Sequence, residues 1–392
     1  MAEEIAFVVV TPYTISKSRT VAILSRLLGR LSAELIATQI FAVNQEMADR
    51  YAASVPPGPT PEDEHHRRMI RDYIAETFSP LQDGQRRRRA LLLVFRGENA
   101  CQEVADVVGR IRISSASGET IRDTYGDLIY KHDGTVRYFE PAVLTSDCRE
   151  HVRADLQMWM DFAATQPAVL DRVCTYDNPA AVEQTLVLIK PDSWRQRSSR
   201  PGAIVDMFSR TGLRIIAMKL CRINVRQGLD FYGPVRDVLR AKLAPGIGAK
   251  ARLVLEKELG LTLAPEIEQE LARSVGIPYA ENQFERIVEF MTGVAPSQCR
   301  PEDMDADGKV KCLALVYEGE NAVRKIRDVL GPTDPTKAPG GTVRSEFGSN
   351  IMVNTAHASD SAENARREMG ILKLHEGNFL PIVNKALAEL KL

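Results

Sequence analysis

The stretch VYEGENAVRKIRDVLG at residues 316–331 recurs in altered form at residues 94–109, where the chain reads VFRGENACQEVADVVG. Both stretches contain the tetrapeptide GENA, and they lie 222 positions apart. The same spacing continues without a gap from residues 117–129 to residues 339–351. An internal repeat of this length predicts two similar domains within one chain.

A second correspondence lies near the start of each copy. IAFVVVTP at residues 5–12 matches TLVLIKP at residues 185–191, and each is an apolar, strand-like run that ends at a proline. Other strand-like runs alternate with helical patterns such as residues 203–212 and 321–331. The resulting β-α-β-β-α-β order predicts an α+β class, with two ferredoxin-like domains whose helices pack on antiparallel sheets. The other strand-like runs are residues 90–95, 214–220 and 312–317.

Polar residues and prolines separate the two copies, in TQPAVL and TYDNPA. We therefore predict a first domain at residues 1–157, a linker at residues 158–184 and a second domain at residues 185–392. A chain of 392 residues also exceeds what one hydrophobic core usually serves.

The charge of the chain is nearly balanced, with 51 basic and 52 acidic side chains. Because no overall field favours nucleic acid or an anionic membrane, any anion binding has to be local. No apolar run reaches the roughly 18 residues needed to span a bilayer, and the amino terminus is acidic where a secretory signal would be basic. We expect a cytoplasmic protein that binds neither nucleic acid nor membrane.

Six scattered cysteines, Cys148 among them, lack CxxC spacing, which argues against structural zinc and a disulfide framework. We expect them to be reduced. The basic run from Arg86 to Arg89 precedes an apolar strand and predicts a solvated loop, with a nucleic-acid patch as the less favoured alternative.

Several polar side chains of the second copy occur at turns next to strands, where they can converge on a polyanion. Arginine can fork onto phosphate oxygens, and lysine supplies a point charge. A neutral imidazole attacks phosphorus near pH 7 when its other nitrogen is held by an acceptor. Glu368, which follows His357 after a polar helical segment, could return to orient that ring. The pattern predicts phosphate chemistry by Lys190, Arg327, Thr333, Arg344, Asn354 and His357.

Four motifs in order resemble the nucleoside diphosphate kinase family: KPD at 190–192, EGENAVRKIRDVLGPTDP at 318–335, PGGTVRSEFG at 339–348 and NTAHASDSAENARREMG at 354–370. The resemblance covers the chain from about residue 185 onward, apart from one insertion. It implies that His357 takes the γ-phosphate of a nucleoside triphosphate such as ATP and passes it to an acceptor nucleoside diphosphate. Mg²⁺ would arrive with the nucleotide, so we expect no metal site built by the protein.

The resemblance also implies how the other residues act. Glu368 would orient His357, and Ser359 and Asp360 would support the site. Lys190 and Tyr232 would contact the transferring phosphate and the sugar. The other phosphates would be held by Arg327, Thr333 and Arg344, and Asn354 would reach the sugar hydroxyl.

The second copy departs from the family between Tyr232 and Phe284, where about forty extra residues include two helical patterns. We predict a helical insertion at about residues 240–282, which would form a lid, cover the nucleotide site or mediate assembly. Gln283 stands where the family has an aromatic residue that stacks on the base, so the grip on the base is altered.

The first copy has lost most of these groups. Lys190 is matched by Thr11, Arg327 by Ala105 and Thr333 by Ile111, whereas Arg122 survives as the match of Arg344. Alignment on Ser146 and Asp147 puts Leu144 where His357 stands, and leucine cannot accept a phosphoryl group. We predict a catalytically silent first copy whose role is either structural, pairing with the second copy as a pseudo-dimer, or regulatory. The resemblance also implies that the chain forms homo-oligomers.

Two other functions stay open at the level of sequence. The chain could be a non-enzymatic nucleotide-binding or scaffolding protein, which the altered insertion favours. It could also pass phosphate from His357 to a protein acceptor. The complete set of polar groups favours the enzyme, because a scaffold has no physical need to keep them together.

Overall fold

The structure is a computed structural model that describes residues 3–81, 87–111, 118–146, 149–171 and 174–390, without the side chains of residues 149 and 150. Arg86, Asp147 and Cys148 lie outside the described residues. The chain forms two compact units, one combining Met1–Leu220 with Leu313–Leu392 and the other made of Cys221–Cys312. Among the described residues, every helix is too short or too polar to span a lipid bilayer.

The first copy of the repeat forms strands and helices in the predicted order. They are β1 (Glu3–Val10), α1 (Pro12–Ser16), α2 (Thr20–Arg30), β2 (Glu34–Val43), α3 (Gln45–Ser54), α4 (Pro61–Thr77), β3 (Arg88–Glu98), α5 (Ala100–Val108), α6 (Ile121–Tyr125), β4 (Asp127–Tyr130), β5 (Val136–Glu140), β6 (Val143–Leu144) and α7 (Arg149–Ala163). The antiparallel sheet has the order β2-β3-β1-β6, and β4 and β5 form a separate hairpin.

The second copy repeats this plan, with a helical segment between its second and third strands. Its elements are β7 (Val182–Ile189), α8 (Arg200–Ser209), β8 (Arg214–Cys221), α9 (Val225–Leu259), α10 (Glu266–Leu271), α11 (Ile277–Thr292), β9 (Cys312–Glu320), α12 (Ala322–Leu330), α13 (Val343–Phe347), β10 (Ala356–Ala358), α14 (Ala362–Ile371) and α15 (Phe379–Glu389). The sheet order is β10-β7-β9-β8. The predicted α+β class is confirmed, and every predicted strand-like run lies in a strand.

The repeated sequence produces repeated backbone geometry. Asn99 and Asn321 precede α5 and α12 in the left-handed region, with φ of 52° and 53°. Gly109 and Gly331 end the same helices, with φ of 81° and 83°. Glycine adopts positive φ without steric cost, and asparagine is among the residues that tolerate it best. The matched positions therefore fix where each helix begins and ends.

The core of the first copy lies on one face of its sheet. Alternate residues of β1, such as Phe7 and Val9, point into it, as the two-residue period of a strand requires. Trp159 of α7 is fully buried there, and its ring lies 5.3 Å from that of Phe41. The linker predicted at residues 158–184 therefore begins too early, because the aromatic residues of α7 complete this core.

Helix α15 of the second copy also packs against this core. Phe379, Val383 and Leu387 are buried among residues of the first copy, and the Phe379 ring lies 5.8 Å from that of Phe41. Glu389 forms an ion pair with Arg96 of β3 at the other end of the helix. The two copies are therefore interlocked and not merely joined end to end.

The prediction of a solvated loop for the basic run is wrong for Arg88 and Arg89. Arg88 and Arg89 begin β3, and Arg89 pairs with Ala42 of β2. Only 9% of Arg89 is exposed, because Ala90 faces the core and Arg89 projects from the opposite, covered face of the sheet.

The unit Cys221–Cys312 is mainly helical. Asn224 and Gln227 form a reciprocal capping box at the start of α9, and Gly260 ends the helix in the left-handed conformation. The helix continues through Pro234 and Pro245. The predicted insertion at residues 240–282 thus begins inside α9, because neither proline ends it.

Candidate active site

The ends of two neighbouring strands bring the predicted nucleophile next to the predicted lysine. His357 lies in the short strand β10, opposite Leu188 of β7, and Lys190 directly follows β7. The Lys190 amide donates to the Thr355 carbonyl at 2.9 Å, so the two chain segments are joined on both sides of the histidine.

The His357 ring is held by a buried carboxylate. Its Nε2 lies 2.9 Å from Oε2 of Glu368 in α14, and the Ser359 hydroxyl donates to the same oxygen at 2.6 Å. The side chain of Glu368 is 6% exposed, against 23% for His357. An ionised carboxylate only accepts hydrogen bonds, so it keeps the ring proton on Nε2 and leaves the lone pair on Nδ1.

The backbone immediately before the histidine adopts a rare conformation. Thr355 has φ of 77°, which is unusual for a β-branched residue and costs on the order of 1–3 kcal/mol. Arg200 holds this turn, because its guanidinium donates to the Phe347 carbonyl at 2.6 Å and to the Thr355 hydroxyl at 3.3 Å. Surrounding contacts therefore fix the backbone that carries His357.

Lys190 and Asn354 form a buried polar pair. The lysine ammonium donates to Oδ1 of Asn354 at 2.6 Å, and only 9% of Lys190 is exposed. The Asn354 amide donates to the carbonyls of Thr333 and Ile351, at 3.1 and 2.7 Å. The structure thus brings three of the predicted residues together, with Thr333 contributing its backbone.

Arg344 is a backbone clamp in this structure. Its guanidinium donates to the Gly331 carbonyl at 2.9 Å and to the Ala356 carbonyl at 3.1 Å, next to His357. The matched Arg122 makes the same two contacts in the first copy, to Gly109 at 2.8 Å and Val143 at 3.3 Å. This arginine therefore has a structural role in both copies, and the predicted phosphate contact of Arg344 stays a prediction.

Arg327 and Asp360 lie near each other at the exposed edge of the site. The Asn364 amide donates to Asp360 at 2.6 Å. This hydrogen bond, followed by the positive charge of Arg327, lowers the pKa of Asp360 in spite of partial burial. Asp360 stays ionised and can hold the guanidinium in place, and its predicted supporting role stays a prediction.

Tyr232 lies on α9 in the other compact unit, where it is buried beside Phe231 with ring centroids 5.0 Å apart. Its predicted contact with the substrate stays a prediction. The same holds for base recognition near Gln283, which lies on α11 in that unit.

Two residues of the site were missed by sequence reasoning. Asp192 is 3% exposed in its side chain and lies 3.4 Å from Arg200. Burial raises the pKa of Asp192, while the charges of Arg200 and Lys190 act in the opposite direction. Asp192 could have been noticed as the third residue of KPD, whereas nothing in the sequence signals Arg200.

The first copy keeps the frame of the site and loses its reactive group. Leu144 of β6 pairs with Val9 of β1. In the second copy His357 has the equivalent position, where it pairs with Leu188 of β7. Ser146 still donates to Asp155 at 3.0 Å, as Ser359 does to Glu368.

In the first copy a buried carboxyl group contacts Thr11, the residue that matches Lys190. Oε1 of Glu140 accepts from the Thr11 hydroxyl at 3.1 Å and from the Ala142 amide at 2.9 Å. Its other oxygen accepts from the Tyr73 hydroxyl at 2.7 Å. This network leaves a carboxyl group beside Thr11, where the second copy has the cationic Lys190, and the silence of the first copy stays a prediction.

Comparison with known proteins gives one consistent family. A family model described as nucleoside diphosphate kinase matches residues 301–376. A nucleoside diphosphate kinase of Anaeromyxobacter sp. (strain Fw109-5) is 32% identical over 189 residues, which is 48% of this chain and 88% of that protein. One from Chlamydia trachomatis serovar L2 is 31% identical over 188 residues, with 48% and 90% covered.

Among solved structures, an orthorhombic crystal form of the Aquifex aeolicus nucleoside diphosphate kinase is 25% identical. The match covers 49% of this chain and 94% of that chain with a TM-score of 0.30, so it adds nothing to the sequence matches.

Proposed function

The chain belongs to the nucleoside diphosphate kinase family, and we propose that it transfers the γ-phosphate of a nucleoside triphosphate to a nucleoside diphosphate through a phosphohistidine on His357. The hydrogen-bonded series Ser359–Glu368–His357 carries this proposal. It fixes both the orientation of the ring and the position of its proton, which a nucleophilic imidazole requires.

The first half-reaction starts from the lone pair on Nδ1. This nitrogen attacks the γ-phosphorus, the new N–P bond forms, and the bond from phosphorus to the bridging oxygen breaks. The leaving nucleoside diphosphate takes that electron pair, and Glu368 stabilises the charge that develops on the ring. In the second half-reaction a terminal phosphate oxygen of another diphosphate attacks the phosphorus, and the N–P bond breaks.

The cationic groups around the histidine stabilise the charge on the transferring phosphate. Transfer of this kind depends on positioning and electrostatics more than on covalent help. Lys190 is tied to Asn354, and Arg327 lies within electrostatic reach of Asp360. We propose that the phosphates displace part of these internal contacts when they bind.

We propose that Mg²⁺ enters bound to the nucleotide phosphates, whose negative charge it would neutralise. Mg²⁺ prefers oxygen ligands, usually one or two carboxylates together with phosphates and water. The Glu368 carboxylate is already engaged by His357 and Ser359, whereas Lys190 and Arg344 are cations. The donor set suits phosphate and not a resident metal ion.

We propose that the two copies act as a pseudo-dimer within one chain. Helix α2 of the first copy lies against α8 of the second, with Gly202 next to Ser25 and Gly29 next to Ser199. The silent copy would then provide the packing surface that a second subunit provides in an oligomer.

The test of the enzymatic proposal is incubation with γ-labelled ATP and Mg²⁺, followed by a chase with GDP. We expect an acid-labile, alkali-stable label on the wild-type chain that GDP removes, and no label on His357→Ala. Absence of label from folded wild-type protein would contradict the proposal and favour a non-enzymatic scaffold. A label that GDP leaves in place would point to a protein acceptor.

A further inference from the structure

A cavity of about 430 Å³ lies between the two copies, and none of its lining residues belongs to the site around His357. We call it the inter-copy cavity. Its volume is within the range of small-molecule sites in proteins. The described residues that line it include four arginines and no acidic side chain. The residues that matter here are Tyr13, Arg87, Arg88 and Arg89 of the first copy, Cys174 of the connecting segment and Arg214 of β8.

Arg89 is a buried cation in the wall of this cavity. Its guanidinium donates to the Ile215 carbonyl at 2.5 Å, and among the described residues it forms no ion pair. Burial lowers the pKa of Arg89, as expected of a cation held away from water. Arginine nevertheless stays protonated in proteins, so the charge has to be offset by other means.

The groups whose charges favour protonated Arg89 are Cys174, Tyr176 and Glu318, in decreasing order, and the one carboxyl group among them is already engaged by other groups. Glu318 accepts from the Tyr176 hydroxyl at 2.8 Å and from the Gln184 amide at 2.9 Å. Arg214 brings a second positive charge that acts against Arg89. A buried charge is costly unless it is paired, and two neighbouring guanidinium groups add to that cost.

We propose that the inter-copy cavity binds a small anion with at least two phosphate charges, held by Arg89 in the wall and by Arg87 and Arg214. Guanidinium groups bind phosphate oxygens in a forked geometry, and several of them together favour a multiply charged ligand. Inorganic pyrophosphate and the diphosphate of a nucleotide share this chemistry. Because the ligand touches both copies, its binding stabilises their association.

The first experiment measures pyrophosphate binding to the full chain by calorimetry. Arg87 and Arg214 are exposed and outside the proposed catalytic site, so the double variant R87A/R214A should fold normally. We expect this variant to lose about tenfold or more in affinity, because hydrogen bonds to charged groups are lost. The variant R137A/R153A removes the same charge from exposed positions elsewhere and should bind within about twofold of wild type.

Pyrophosphate could also bind near His357, and the variant Arg327→Ala separates the two sites. Binding that is lost in Arg327→Ala and kept in R87A/R214A would overturn the proposal. An additional titration with ADP distinguishes the sources of the phosphate. If R87A/R214A weakens the binding of ADP but not that of pyrophosphate, the cavity recognises a nucleotide. If it weakens the binding of both, the cavity recognises the diphosphate group itself.

A second measurement uses thermal unfolding. Pyrophosphate should raise the Tm of the wild-type chain, since a ligand that binds only the folded state stabilises it. Arg89→Met keeps a long apolar stem and removes the charge, so in the Arg327→Ala background, where binding near His357 is weakened, the rise should disappear. A rise of equal size in Arg89→Met would show that the anion binds elsewhere.

Discussion

At the scale of single residues, the proposed nucleophile His357 depends on Glu368, whose carboxylate holds its ring. Glu368→Gln keeps the shape of the side chain, but its amide can donate to Nε2 and stabilise the wrong ring tautomer. We expect kcat to fall by about 10²-fold, in line with other groups that orient a catalytic histidine.

Glu363→Gln is the matched control for this change, because Glu363 is an exposed residue in the first turn of the same helix. Steady-state kinetics with ATP and GDP should show wild-type kcat in the control. Equal activity of Glu368→Gln and wild type would remove Glu368 from the mechanism.

The buried carboxyl group of Glu140 should make the free energy of unfolding depend on pH. Burial raises the pKa of Glu140 above its ordinary value of 4.5, although Tyr73 and other donors act in the opposite direction. A carboxyl group with a raised pKa in the folded state stabilises the fold below the unfolded pKa, and this contribution is lost as pH rises through the folded pKa. The Glu140 contribution to the free energy of unfolding should therefore decrease as pH rises above about 4.5.

Urea unfolding of wild type and Glu140→Gln across this pH range isolates that contribution. The difference between the two proteins should change with pH, while Glu363→Gln should follow wild type. A difference that is constant from pH 4 to pH 8 would contradict the raised pKa.

At the scale of elements, contact between α2 and α8 depends on two glycines in unequal surroundings. A Cβ at Gly202 would lie 2.5 Å from backbone atoms of Ser25, whereas one at Gly29 would lie 3.4 Å from Ser199. Gly202→Ala should therefore destabilise the chain by about 1–3 kcal/mol through overpacking. Gly29→Ala should be neutral or stabilising, since alanine favours the helix by about 1 kcal/mol. Denaturant unfolding of the two variants measures this difference. Equal free energies of unfolding would argue against close packing of α2 on α8.

The elements were largely predictable because each carries a local signal. Strand runs, the repeated asparagine and glycine turns, and the motif around His357 all follow from neighbouring residues. The clamp formed by Arg200 was not predictable, since its partners Phe347 and Thr355 are distant in sequence. The burial of Arg89 was missed for a related reason: it depends on strand pairing that a basic run does not reveal.

At the scale of the whole molecule, α15 couples the stability of the two copies. Phe379→Ala removes a fully buried ring from the core of the first copy and should cost about 3–5 kcal/mol. Lys385→Ala on the exposed side of α15 should cost less than about 0.5 kcal/mol. Trp159 reports on the first copy and Trp194 on the second, so fluorescence should show one shared thermal transition. Two separate transitions in the wild-type chain would contradict the coupling.

The position of α15 also has a consequence for synthesis on the ribosome. The first copy emerges early, but α15, which covers part of its core, is made only after the other helices and strands of the second copy. At translation rates of about 5–20 residues per second, the apolar face that receives Phe379 stays uncovered for on the order of ten seconds or more. The nascent chain therefore presents a binding surface to chaperones until α15 has been made.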